Sequence, residues 1–168
     1  MKEKKVKNEM KYFAAFISNK KADLKYNNLQ IGKKCNISIG EISKIIDLQR
    51  QNIKARVYYC IYTGLGLTIE EITKHVFQEV RLKLNENETK SQTTLGKILH
   101  HIDSKVSLKE VISERTGISI TRLNALYHGT GSPNADELLL IEMAVGEQPG
   151  ALFEKLYGEE FRKKVVKD

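Results

Sequence analysis

RTGISITRLNALYHGTGSP, residues 115–133, decides how the rest of the chain is read. Gly117 can take the left-handed backbone that ends a helix tightly. Ile118 follows as an apolar plug, and Ser119 is a helix N-cap. Leu123 and Leu126 then fall on one face of a second short helix. Upstream, Ser107-x-x-Glu110 is a capping box, opening a helix that turns Val111 and Ile112 inward. Ser113, four residues before the glycine, is small where the second helix crosses the first closely. Downstream, Ser132-Pro133 places proline in the first turn of the next helix, where no amide partner is needed.

The same rhythm occurs 81 positions earlier. CNISIGEISKII (35–46) shares with TGISITRLNALY (116–127) an Ile-Ser-Ile triplet and a matching set of aliphatic positions. Gly32 stands where Ser113 does, and Asn36, which also tolerates the left-handed region, replaces Gly117. Ile17 matches Ile98, and GLGLTIEEI (64–72) precedes AVGEQPGAL (144–152) by 80. Between the copies, Asn85 to Thr93 is nine polar residues, the one linker candidate. Two copies are too few for a stacked solenoid, so two tandem domains are expected, 9–84 and 94–160, each burying its own core. Residues 1–8 are a basic arm, 85–93 the linker and 161–168 a basic tail. Further capping boxes at Ser38-x-x-Glu41 and Thr68-x-x-Glu71 mark helix starts. Ile69, Ile72, Val76, Val80 and Leu84 form one stripe on a helix over 69–84. Ile53, Val57, Cys60 and Ile61 share a face of another. The expectation is all-α, five helices per unit.

Two short helices joined by a glycine-bearing turn make a helix-turn-helix. With Gly96–Asp103 as a first helix, and with Gly129, Pro133, Leu138, Ile141, Ala144, Gly146 and Leu152-Phe153, residues 95–153 resemble the Cro-type (XRE) helix-turn-helix domain. That is the five-helix, lambda-repressor-like fold of phage repressors and many bacterial regulators. The first unit is similar but degenerate, lacking the turn glycine and the proline after the third helix. The resemblance implies that the helix after the turn enters the DNA major groove. In the second unit Ile120, Thr121 and Ala125 would face bases, flanked by Arg122, Asn124 and His128, with Ser119 at the cap. Lys109 would meet a phosphate. In the first unit the matching positions are Ser38, Ile39, Gly40, Ser43 and Lys44, beside Glu41 and Asp47. Arg50 and Lys54 lie in a basic loop placed to grip the DNA backbone, and Lys2, Lys4, Lys5 and Lys7 of the arm could do likewise.

Charge supports a polyanionic partner for one half. Residues 1–84 hold 17 Lys and Arg against 8 Asp and Glu, whereas 85–168 hold 11 against 13. Such a basic half attracts nucleic acid. Base reading by bidentate Arg, Asn or Gln has few candidates here, and Ile120 and Ala125 would touch only thymine methyls. No apolar run reaches the roughly 18 residues of a membrane span, and the amino-terminal stretch lacks the apolar core of a secretory signal. Cys35 and Cys60 show no metal or redox spacing, which fits a reduced, cytoplasmic setting. His100-His101 reads as a solvated helix face. Tyr58, Tyr59 and Tyr62 read as core and rim, and Glu154, Glu159 and Glu160 as a solvated face. No catalytic, cofactor or metal motif occurs.

The expectation is a DNA-binding transcriptional regulator acting on duplex DNA by occupancy, without cofactor and without enzymatic activity. One chain would bridge two half-sites about 34 Å apart, helped by roughly 24 Å of rigid 69–84 helix, or that helix would pair with its copy in a homodimer. The alternative is a protein-interaction module, antitoxin-like regulators included, in which one or both units keep the fold without reading DNA. In a mixed form the basic first unit supplies affinity and the second discrimination or a surface for a protein partner.

Overall fold

The computed structural model describes residues 6–79, 82–85 and 108–165. Nine helices lie among them: α1 (Asn8–Asp23), α2 (Asn28–Lys34), α3 (Ile39–Ile46), α4 (Ala55–Gly64), α5 (Ile69–Val76), α6 (Leu108–Thr116), α7 (Ile120–Tyr127), α8 (Ala135–Val145) and α9 (Ala151–Val165). No strand occurs among the described residues, so the all-α expectation holds for them. The expected helix near Gly96–Asp103, the Ser107 box, His100-His101, residues 86–93 and arm residues Lys2, Lys4 and Lys5 lie outside the described residues.

The sequence repeat is a repeat of local structure. Helices α3 and α7 are both eight residues long and begin 81 positions apart. Each opens on a serine whose Oγ accepts the backbone N–H three residues on, from Glu41 to Ser38 and from Arg122 to Ser119, both at 3.2 Å. The turns before them use one left-handed residue each, Asn36 at φ 53° and Gly117 at φ 73°. Gly32 is confined as its small size suggests. A Cβ there would lie 2.6 Å from the Ile37 carbonyl oxygen, which is overlap with backbone.

The Thr68 capping box forms in full, with Thr68 and Glu71 exchanging bonds. The helix it opens is shorter than the 69–84 stripe suggests and ends at Val76. Phe77 turns inward and stacks edge-on against Tyr58. Ile69, Ile72 and Val76 are all buried within the chain's own core. A homodimer through helix 69–84 therefore loses both its rigid length and its apolar face. Pro133 also departs from expectation. The helix begins at Ala135 with Asn134 as N-cap, so Pro133 stands two residues before the first turn. The expected 161–168 tail is helical through Val165, with Phe161 buried.

Packing crosses the expected boundary between the units, while Ile118, Leu123 and Ala144 of the second unit are buried outside the shared cluster. One continuous apolar cluster joins Met10, Phe13, Ile17 and Ile42 to Leu138, Leu139, Phe153 and Phe161. Tyr58, fully buried, sits at its centre with the rings of Phe13, Tyr62, Phe77 and Phe153 within 6.0 Å. Its hydroxyl pairs with Thr73 Oγ1 at 2.9 Å. Tyr59 packs against Tyr157 and Phe161 of α9 and donates to Glu154 at 2.5 Å. Tyr58, Tyr59 and Tyr62 are thus core, as their helical spacing suggests. Glu154 and Glu160 are more than a solvated face: Arg56 of α4 pairs with Glu160 at 2.8 Å. Asn85, the first linker residue, is fastened too, donating through N and Nδ2 to the carbonyls of Arg115 and Glu114.

Candidate nucleic-acid interface

Each helix α3 and α7 buries one face and leaves another open, because its apolar residues recur three apart. Ile42 and Ile45 are buried on α3, and Leu123 on α7. On the outer face, Ile39 is 46% and Ile120 39% exposed. Two β-branched apolar side chains thus stand in solvent at equivalent positions. Gly40, Lys44, Thr121 and His128 are exposed around them, while Ser43, Asn124 and Ala125 are half-buried. Nothing lies within 4 Å of where a Gly40 Cβ would stand, so a groove could approach that backbone closely.

The two helices of each pair, α2 with α3 and α6 with α7, are tied together at matching positions. In the first unit Asn28 Nδ2 donates to Ser43 Oγ at 3.1 Å; in the second Lys109 Nζ donates to Asn124 Oδ1 at 3.0 Å. Lys109 also lies 4.1 Å above the centroid of Tyr127, a cation–π contact. Tyr127 is 73% exposed. It matches Ile46 in the first unit, and its apolar character in the sequence pattern hid an outward-facing aromatic ring.

The charges beside these helices reverse between the copies. The third residue of α3 is Glu41, and Arg50 of the following loop forms a two-point ion pair with it. The matching residue of α7 is Arg122, whose Nε and Nη2 meet both Glu137 oxygens at 2.7 Å. Nη2 also donates to the Ser132 carbonyl at 2.9 Å. Gly131, in the place of Arg50, makes room for this, since a Cβ there would stand 2.8 Å from Nη1. Burial alone would raise the Glu137 carboxyl, but Arg122 and the Asn134 amide hold it below its ordinary range. Arg50 and Arg122 therefore each have an acidic partner within the chain. Glu137 was not legible as that partner, because nothing in a single sequence links it to a residue 15 positions away on another helix.

No protein-family model, curated protein or solved structure matches this chain.

The loop that leads into α4 meets the loop that leads into α8. Ala55 N donates to the Pro133 carbonyl at 3.0 Å, and Ala135 N donates to the Ile53 carbonyl at 2.8 Å. Between them Lys54 and Asn134 face each other in an isolated antiparallel bridge, with Lys54 Nζ on Asn134 Oδ1 at 3.1 Å. Lys54, expected to grip DNA backbone, is thus a bridging residue. Cys35 and Cys60 are buried thiols, and burial pushes Cys35 up to about 12, which makes it a poor nucleophile. No three His, Cys, Asp or Glu side chains gather as a metal site among the described residues. No helix among them is long and apolar enough to cross a membrane.

Proposed function

We propose that this chain is a transcriptional regulator that binds duplex DNA through two helix-turn-helix units, α2–α3 and α6–α7, and acts by occupying its site. The observation that carries the reading is the pair of serine-capped, eight-residue helices following matched turns, each presenting an isoleucine outward at the same position. A surface isoleucine on a short capped helix has little to contribute to stability, and it suits contact with thymine methyl groups in a major groove. The basic first half would add sequence-independent attraction to phosphates. Lys44 and His128 are exposed near the C-terminal ends of the two helices.

A protein-interaction role is the second reading. It is favoured by the internal pairing of Arg50 and Arg122, which occupies the guanidinium groups expected to grip the DNA backbone and to flank the base-facing residues. Fluorescence anisotropy with a mixed-sequence duplex pool at low and moderate salt separates the two. The proposal expects binding that weakens steeply with salt, together with a change of sequence preference in Ile120→Ala. An absence of binding at low salt would leave the interaction reading in its place.

A further inference from the structure

The bridge between the two halves carries information about the DNA they would read. Ala55 and Ala135 are the first residues of corresponding helices 80 positions apart, and Gly66 and Gly146, also 80 apart, are both left-handed. Under that offset Ile53 corresponds to Pro133, Lys54 to Asn134 and Ala55 to Ala135. The two inter-unit hydrogen bonds are therefore reciprocal: Ala55 gives to the Ile53 counterpart, and Ala135 gives to Ile53 itself. A contact in which i meets j and j meets i is isologous, the signature of a two-fold axis. A head-to-tail arrangement of repeats pairs unlike positions and cannot produce it. The axis runs through the Lys54–Asn134 bridge.

The outward-facing helices are linked to that axis. Glu41 of α3 holds Arg50 in the loop that leads to the bridge, and Arg122 of α7 holds the Ser132 carbonyl next to Pro133. The first turns of α3 and α7, whose residues approach base edges in such motifs, are thus braced against the bridging loops of their own units. The bridging backbone is buried at Ala55 and Ala135, and Phe153 and Phe161 of the second half lock into the first. The relation between the units is fixed by packing and does not depend on a linker. The symmetry is incomplete away from the axis. Helix α9 runs 15 residues against eight for α5, and Ile69, Thr73, Leu139 and Met143 leave a cleft of about 260 Å³ between α5 and α8.

Resting on the DNA-binding reading above, we infer that a single chain recognises an inverted repeat with two unlike half-sites, at one fixed spacing. Inversion follows from the two-fold axis, because operator symmetry mirrors protein symmetry. Inequality of the halves follows from the residues of α3 and α7 that differ under the axis: exposed Gly40 against exposed Thr121, exposed Lys44 against half-buried Ala125, and half-buried Ser43 against half-buried Asn124. Fixed spacing follows from the bridge and from the docking of α8 and α9 against the first unit.

The test is selection of the full chain on a duplex library randomised over about three helical turns, followed by sedimentation of the complex with the enriched duplex. The expected result is one chain per duplex and two inverted, related but non-identical half-sites. Inserting about five base pairs between them, half a turn, should weaken binding by roughly a hundredfold or more, since one half-site is then out of reach. Inserting a full turn should be equally damaging, because the docked halves cannot separate. Half-sites in direct orientation, two chains per duplex, or indifference to spacing would each overturn the inference while leaving DNA binding intact. Failure to enrich or retain any duplex would overturn the DNA-binding reading, and the inference with it.

Discussion

Phe153→Ala is the most direct probe of the shared core. The ring belongs to the second half, is fully buried, and has its centroid 6.0 Å from that of Tyr58 and 6.3 Å from that of Tyr62 in the first. Truncating a buried Phe to Ala typically costs about 3–5 kcal/mol through lost transfer energy and the cavity left behind. With a urea dependence of about 2 kcal/mol per molar, the midpoint should fall by about 1.5–2.5 M. The chain has no tryptophan, and five of its seven tyrosines lie in the first half. Tyrosine fluorescence therefore reports mainly on the first unit, and far-ultraviolet circular dichroism on all helices. If the halves share one core, both signals should move together by the same amount. A tyrosine midpoint that stays put while the dichroism splits into two steps would refute the reasoning, since it would mean that the first unit folds without noticing Phe153.

Three further outcomes are expected. Gly32→Ala should gain about 1 kcal/mol of helix propensity but lose more to overlap with the Ile37 carbonyl; thermal melting should show a drop of about 2–8 °C, and a rise would mean that the crossing is looser than described. Asn36→Gly should raise stability by about 0.5–1 kcal/mol, because the left-handed backbone suits glycine and the buried Nδ2 has no hydrogen-bond partner; chemical denaturation would read this directly. Hydrogen bonds from Arg56 and then Lys164 lower the Glu160 carboxyl from its ordinary 4.5 to about 2. A carboxyl whose folded pKa is depressed contributes stability that is complete above the unfolded pKa and is lost as pH falls through the folded one. Between pH 4.5 and 2, Glu160→Gln should therefore lose less stability than the parent chain. The group is half exposed, so the difference should be small and should shrink in salt; a larger acid loss in the variant would contradict the pairing.

The features that could be read from sequence are those set by neighbours along the chain. Ser38, Ser119 and Thr68 cap helices because a short hydroxyl side chain reaches the amide three residues on, and no distant residue is needed for that. Asn36 in the place of Gly117 was legible for the same reason, since both tolerate positive φ. The length of α5 was not, because Val80 and Leu84 continue the helical period and only the burial of Phe77 against Tyr58 shows where the helix stops. Separate cores were a fair expectation from a polar stretch of nine residues, yet Phe153 and Phe161 dock onto Tyr58 and Tyr59 of α4, 95 and 102 positions away in the chain. Among the site residues, the outward placement of Ile39 and Ile120 followed from the resemblance and not from periodicity, since each stands three residues before a buried one, Ile42 and Leu123. The occupation of Arg50, Lys54 and Arg122 could not, because each is decided by a partner that folding brings near. Leu48, at φ 55° where the second unit has Gly129, is also a local departure that the sequence pattern did not flag.

The bridge at Lys54 and Asn134 has a consequence for what kind of residue can sit on the axis. In a dimer of identical chains, a side chain on a two-fold axis meets only its own copy, so a lysine there would face a lysine. Joining both halves in one chain removes that restriction. Lys54 meets an amide oxygen, and Arg56, near the axis, corresponds to Asp136 on the other side. Donor and acceptor, or cation and anion, can be divided between two positions that self-association would force to be alike. Each half is then free to carry a substitution that its twin does not share, and the contact between them can be complementary without being symmetric in chemistry.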